Sequence, residues 1–295
     1  MNALKQCPVC GSDQLVPEVL SAKDFLVSGE VFNIARCNSC GFLFTNPRPE
    51  DEKLGEYYQS TDYISHSETK KGMVNKLYLM ARRYTLRRKV KIVARNTTGK
   101  RLLDIGCGVG AFPFEAKQRG FDVLGIEPEE SARSIAEEKY GVNVLPVPEF
   151  IQIPDASRDA ITLWHVLEHV EDIDFYWKNF SRILSAGGTL VVAVPNPESP
   201  DAVYYRGNWA AYDVPRHLYH FRKDDLRFLA KKYDFTLRQI LPMKLDAYYI
   251  SMLSEKNTTG KSRLISSFFK GWRFNAKARR NNNYSSLIYI LKKNN

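Results

Sequence analysis

One stretch constrains this chain more than any other: Leu102-Leu103-Asp104-Ile105-Gly106-Cys107-Gly108-Val109-Gly110. Its apolar first half reads as a buried strand. Glycine at every other position of the second half lets the backbone turn sharply and come close to a ligand. Ala111-Phe112 then opens a helical pattern through Arg119, so the turn ends at a helix start with free N–H groups and a partial positive charge. A second apolar run, Phe121 to Ile126, ends in Glu127. An acid at the tip of a second strand, about 20 residues past the glycines, is placed to accept both hydroxyls of a ribose. The spacing is G-x-G-x-G, not the G-x-G-x-x-G that cradles a pyrophosphate, and Asp104 stands two residues ahead of it. A carboxylate there repels a diphosphate and suits a ligand carrying an ammonium group.

The alternation continues downstream. Residues 128–140 read as a helix, 142–145 as a third strand, 159–163 as a fourth, 172–184 as a helix and 189–194 as a fifth strand. Residues 223–233 read as helix, with strands at 235–242 and 285–292. This order implies an α/β fold, a doubly wound, mainly parallel seven-stranded sheet covered on both faces. Ligands bind such sheets outside the carboxyl ends of strands one and four, where the strand order switches. Trp164 to Val170 follows the fourth strand as loop and helix, which puts His165 and His169 on one helical face. Upstream, 73–95 reads as a long basic helix with apolar Leu77, Met80, Tyr84, Val90 and Val93 at near-helical spacing. The aromatic segment 54–67, with Tyr57, Tyr58, Tyr63 and His66, reads either as a surface helix packed on the main domain or as a lid.

Four of the five cysteines form two C-x-x-C-Gly turns, Cys7/Cys10 and Cys37/Cys40. This pattern fits a four-thiolate zinc site, closed and therefore structural. The expected organisation is a zinc knuckle over 1–48, a helical lid or linker over 49–97, and the main domain over 98–295 with an insert at 245–284.

With Asp104, Gly106, Gly108, Gly110 and Glu127 in place, the central stretch resembles motif I of the class I S-adenosylmethionine (SAM) methyltransferases, a Rossmann-like family. The chain is similar to bacterial members that carry an N-terminal zinc knuckle, a TLWHVLEHV-like segment (162–170) and a DxPRHLxHF-like segment (213–221). The resemblance implies SAM as cofactor and a small-molecule acceptor, including sugars and glycan precursors. It implies Glu149 near the adenine, His165 beside the cofactor, and Tyr58, Tyr63, His66, Trp209 and Arg216 around the acceptor. Related sugar C-methyltransferases carry a catalytic Glu-His pair where this chain has Arg216-His217, so O- or N-methylation competes with C-methylation. His217 is the expected base, with His220 and His169 as alternatives. Small-RNA 2′-O-methyltransferases hold magnesium with a Glu/His set similar to Glu168 and its neighbours. Cys107 reads as a packing residue.

The net charge of +10 is concentrated: residues 70–101 hold twelve Lys/Arg and residues 256–295 hold ten, neither with an acid. The second segment interleaves Phe268, Phe269, Trp272 and Phe274 with Arg263, Lys270, Arg273, Lys277, Arg279 and Arg280. Such segments suit RNA, an anionic membrane surface reached by a lipid-linked glycan enzyme, or plain solvation. A non-catalytic SAM-fold scaffold binding a partner through its knuckle is the reading outside enzymology. No run is long enough to span a membrane and the first residues are no signal peptide, so cytoplasm is expected.

Overall fold

A computed structural model describes residues 1–58 and 73–294. Tyr63 and His66 lie outside the described residues. The chain opens with an antiparallel hairpin of β1 (Leu15–Lys23) and β2 (Val31–Cys37), to which β3 (Leu43–Thr45) adds. Asp24 shapes the hairpin turn, its carboxylate accepting the N–H groups of Leu26, Val27 and Ser28. Helix α1 (Met73–Asn96) follows. Val90 and Val93 are buried in it, but Met80 and Tyr84, expected on the same packed face, are exposed. Its last turns reach the large sheet, where they meet Leu102, Val191 and Ile288.

Strands and helices then alternate as β4 (Arg101–Ile105), α2 (Ala111–Lys117), β5 (Asp122–Ile126), α3 (Glu130–Tyr140), β6 (Asn143–Leu145), β7 (Arg158–Trp164), α4 (Ile173–Ile183) and β8 (Leu184–Pro195). After them come α5 (Pro200–Tyr205), β9 (Tyr219–His220), α6 (Lys223–Lys232), β10 (Phe235–Pro242), α7 (Asp246–Thr259), α8 (Leu264–Ala278) and β11 (Ser286–Lys293). The large sheet has the order β10-β11-β8-β7-β4-β5-β6. Its β4–β5, β4–β7, β5–β6 and β7–β8 pairs are parallel, and β11 runs antiparallel to both neighbours. The chain builds outward from β4 through β5 to β6, then returns to the other side of β4 with β7. The loops after β4 and β7 therefore flank the crevice where the order switches.

The small sheet has the order β1-β2-β3-β9. Its fourth strand comes from far beyond residue 48, so the knuckle and the main domain share a sheet. Thr45 fastens the join: its N–H donates to Leu218 O at 3.0 Å and its hydroxyl to His217 O at 2.7 Å. Phe42, Phe44, Tyr219 and Phe221 pack across it with ring centroids 5.5–6.2 Å apart. One apolar core runs from Cys7 and Val9 to Trp177 and Leu226.

Candidate active site

The glycine loop follows β4 as its spacing demands. Gly106, Gly108 and Gly110 all have positive φ, a region closed to most side chains. Close packing fixes two of them as well: a Cβ on Gly106 would meet Val166 at 2.4 Å, and one on Gly110 would meet Ala136 at 2.7 Å. Gly108 faces open space, with nothing within 4 Å of a Cβ, which is the cradle a ligand needs. Its N–H donates to Glu127 Oε2 at 2.8 Å, and Glu129 N–H donates to Oε1 at 3.2 Å. The acid at the tip of β5 is thereby held against the loop, with spare lone pairs on both oxygens. Burial raises its pKa, opposed by those two N–H bonds. Glu149 sits half-exposed in the turn Val147–Gln152 after β6, next to the end of β5.

Asp104 is buried on β4 and accepts the Thr162 hydroxyl from β7. Burial pushes its carboxyl up to about 7, against the opposing pull of Thr162 and of Lys89 on α1. The Lys89 ammonium lies 4.6 Å from the Trp164 ring centroid. Neither Thr162 nor Lys89 stood out in the sequence, because nothing in a strand or a basic helix marks which residue faces the crevice.

The segment after β7 corrects one expectation. Residues 165–170 form a turn, not a helix, and α4 starts only at Ile173, where the Asp172 carboxylate caps it through Phe175 N–H at 3.0 Å. His165 has φ +60°, and His169 N–H donates to Val166 O at 2.9 Å. The turn sends the two histidines different ways. His165 lies between Glu168 (3.3 Å) and Asp246 of α7 (3.1 Å). Burial would lower its pKa, but the two carboxylates win and raise it to about 9, so it is cationic near neutrality. Asp246, beyond any motif, was invisible to sequence reasoning.

Glu168, His169 and His217 converge instead. Each offers one ligand atom within 4.8 Å of the others, and the two imidazoles meet edge to face at 4.5 Å. His217 Nδ1 lies 2.9 Å from Ala211 O and donates to it, which leaves the Nε2 lone pair free. His169 Nδ1 lies 3.1 Å from Arg216 O and 3.0 Å from Tyr58 Oη. Burial and the neighbouring His217 hold the His169 pKa down to about 4, so it is neutral. Burial would raise Glu168, but the His165 bond and the three surrounding histidines hold it below its usual value. Its Oε2 is buried with no hydrogen-bond partner among the described residues. Tyr58 thus reaches the cluster.

Three other candidates are anchored elsewhere. His220 is buried in the join, 3.2 Å from Thr45 Oγ1. That hydroxyl already donates to His217 O, so His220 must donate to it, and burial holds its pKa down to about 3. Its remaining lone pair, on Nδ1, is buried with the ring, so it lacks the access a base needs. Trp209 is buried with its indole N–H on Asp201 at 2.8 Å and Tyr212 packed on it at 5.0 Å. Arg216 is buried too, its donors used on Asp24 (2.9 Å), Asp213 (2.7 and 3.1 Å) and Tyr57 O (2.9 Å). Arg216 and Trp209 therefore spend these donors on the frame of the site.

In the knuckle, Cys7 and Cys40 sulfurs are 3.6 Å apart, as are Cys10 and Cys37, and all four lie within 4.8 Å. These spacings are far longer than a disulfide and match the edges of a tetrahedral thiolate site. Gly11 and Gly41 turn with φ +77° and +78°, each N–H returning to the first cysteine of its pair. Burial pushes the Cys7 thiol up to about 11 and Cys40 further, the sulfurs of Cys10 and Cys7 adding to the shift at Cys40. A divalent cation among the four would offset that crowding, so the residues fit the group.

A family model described as a methyltransferase domain matches residues 78–240, more than half of the chain. The chain belongs to the methyltransferase domain family. Its sheet order and glycine loop are those of the class I SAM-dependent fold. A SAM dependent methyltransferase from Archaeoglobus fulgidus matches with TM-score 0.50 at 20% identity, covering 72% of this chain and 94% of that one. Geranyl diphosphate methyltransferase in complex with SAM matches with TM-score 0.50 at 16% identity, covering 70% and 85%. Both show a shared fold. In sequence, this methyltransferase is 32% identical over 111 residues to the ubiquinone biosynthesis O-methyltransferase of Acinetobacter baylyi, covering 35% of this chain and 47% of that protein. It is 36% identical over 104 residues to the protein of that name from Sinorhizobium fredii, covering 33% and 42%. The chain thus spans less than half the length of these relatives.

Asp104 gives the methyltransferase a testable pH dependence. A bound ammonium favours the ionised carboxylate, and a carboxyl at about 7 must first lose its proton. Affinity for S-adenosylhomocysteine should tighten about tenfold per pH unit below 7 and level off above it. Titration calorimetry across that range checks this, and Asp104→Asn should flatten the profile. A flat profile in the parent chain would remove Asp104 from the site.

Proposed function

We propose that this chain transfers the methyl group of SAM to a hydroxyl of a small-molecule acceptor. The observation that carries the reading is the buried Glu168–His169–His217 cluster at the carboxyl end of β7, whose turn packs through Val166 on Gly106 of the glycine loop. SAM supplies a methyl already activated on a sulfonium. Asp104 and Glu127 would hold its charged and ribose ends over Gly106, Gly108 and Gly110, with Glu149 and His165 along its flank. The chain must then place a hydroxyl in line and remove its proton. His217 is suited to that step: Ala211 O fixes its tautomer and the ionised Glu168 stabilises the imidazolium as it forms. His169 is the alternative base, and Tyr58 covers it. The three residues could also hold a divalent cation that polarises the hydroxyl, as Glu168 Oε2 lacks a partner among the described residues.

The acceptor class rests on two kinships: glycan-precursor enzymes by motif, and proteins named for ubiquinone O-methylation by sequence. Both point to a small-molecule acceptor, and the second to its hydroxyl. No helix among the described residues is long and apolar enough to cross a membrane. A reducing cytoplasm would suit the thiol cluster, with Cys7, Cys10, Cys37 and Cys40 holding structural zinc. His217→Ala should lower methyl transfer from labelled SAM by about 10²- to 10⁴-fold, with S-adenosylhomocysteine affinity unchanged. Turnover near that of the parent chain would exclude His217 as base. Activity that falls on chelation while zinc is retained would assign the cluster to a metal. No uptake of SAM or its demethylated product would leave a non-catalytic scaffold.

A further inference from the structure

We propose that the α7–α8 hairpin docks this protein on an anionic membrane surface, with the outward stripe of α8 seated at the headgroup boundary. The helix is inverted relative to an ordinary surface helix. Its buried residues are small, Ser267, Gly271 and Ala278, with Phe274 the one large side chain among them. Gly271 lets α8 ride directly on α7, since a Cβ there would lie 2.9 Å from Tyr248 Cα. The large apolar side chains point the other way. Ile265, Phe268, Phe269 and Trp272 each leave more than half of their surface in water, and their i, i+3, i+4, i+7 spacing places them on one stripe. Leu264, at the helix start, is exposed as well.

The charge around the stripe selects the partner. Lys261 and Arg263 precede it, and Arg273, Lys277, Arg279 and Arg280 flank or follow it, all exposed. Residues 256–295 contain no acid. Cations alone around an aromatic stripe match anionic headgroups above an acyl boundary, with the long basic stems snorkelling upward. A second copy of the chain would set like charge against like, and a nucleic-acid duplex, its bases stacked inside, would leave the aromatic stripe in water. The hairpin also starts at the site: Asp246, first residue of α7, is the partner of His165. α8 runs back along α7, with Asn275 Nδ2 donating to Lys244 O beside Asp246, so seating its outer stripe on a bilayer would hold the start of α7 about one interhelical spacing, roughly 10 Å, behind it. That would give the enzyme proposed above access to an acceptor with a lipid anchor, a consequence that rests on that reading. The docking itself does not.

The test is flotation of the zinc-loaded full chain with vesicles of phosphatidylcholine alone or mixed with phosphatidylglycerol, without SAM or acceptor. Binding is expected to the mixed vesicles and to weaken with salt. F268S/F269S/W272S should lower it by at least about 100-fold, on the order of tenfold per aromatic, with S-adenosylhomocysteine affinity unchanged. Trp177 and Trp209 are buried and Trp164 partly so, leaving Trp272 as the exposed tryptophan. Brominated lipid in the mixed vesicles should therefore quench fluorescence in the parent chain and not in W272F. Failure of the parent chain to float, or flotation of the triple variant at parent level, overturns the proposal. So does a lipid-free dimer that the triple variant dissociates, which would make a second copy the occupant. RNA retention that mixed vesicles cannot displace also overturns it.

Discussion

Cys37→Ser should release the bound metal and lower the melting temperature by more than about 10 °C, since structural zinc stabilises small folds by many kcal/mol and about 5 kcal/mol already shifts a domain this far. The effect should not stay in the knuckle. Cys37 ends β2, β2 pairs with β3, and Thr45 of β3 bonds both the carbonyl of His217 and the backbone of Leu218. Leu218 N–H in turn donates to Glu168 O at 2.8 Å. Loss of the metal therefore reaches two of the three cluster residues through the backbone, and methyl transfer should fall further than S-adenosylhomocysteine affinity. Elemental analysis should find about one zinc per parent chain, a closed thiolate set, and none in the variant. A parent chain that carries no metal and melts with the variant would show that the four sulfurs are packing groups only.

Arg216→Met should cost about 3–5 kcal/mol, the range for removing one partner of a buried ion pair, measured by denaturant unfolding. Arg216 is 1% exposed and Asp24, in the hairpin turn of the knuckle, 0%. Burial alone would raise the Asp24 carboxyl, but the Arg216 bond and the turn N–H groups hold it below its usual value. A depressed carboxyl stabilises the fold above its unfolded pKa of about 3.9 and loses that contribution as pH falls through the lower folded value. The variant leaves a carboxylate in the interior with no cation, whereas Asp24→Asn/Arg216→Met should recover much of the loss. The recovery in this double-mutant cycle measures the coupling. Because Arg216 also bonds Asp213 and Tyr57 O, and its own carbonyl lies 3.1 Å from His169 Nδ1, the single variant should loosen the cover over the cluster and raise the acceptor KM. Unfolding within about 1 kcal/mol of the parent, the size of an exposed pair, would deny the three-way tie its role.

The motif that named the fold is local, which is why it could be read early. Positive φ at Gly106, Gly108 and Gly110, the acid ending β5 and the sharp turns of two C-x-x-C-Gly pairs are demands that a few consecutive residues make on their own backbone. The helix expected through the histidines failed where an apolar pattern was extended past its warrant. Trp164 to Val170 has helical content, but His165 adopts φ +60° and the turn scatters His165 and His169 to different partners. Arg216 and His220 sit in a motif with the look of chemistry, and both face inward because β9 is drawn into the knuckle's sheet. Asp246 and Lys89 enter the crevice from elements that carry no motif.

The sequence by itself determined the doubly wound sheet, the glycine loop with its facing acid and the four-sulfur cluster, because backbone geometry, hydrophobic period and ligand spacing are written within short windows. Only the tertiary structure decided which histidines meet. That choice depends on a strand from residues 219–220 closing a sheet begun at residue 15, a contact no local pattern encodes. It places His217 beside Glu168 and seals His220 away by the same pairing.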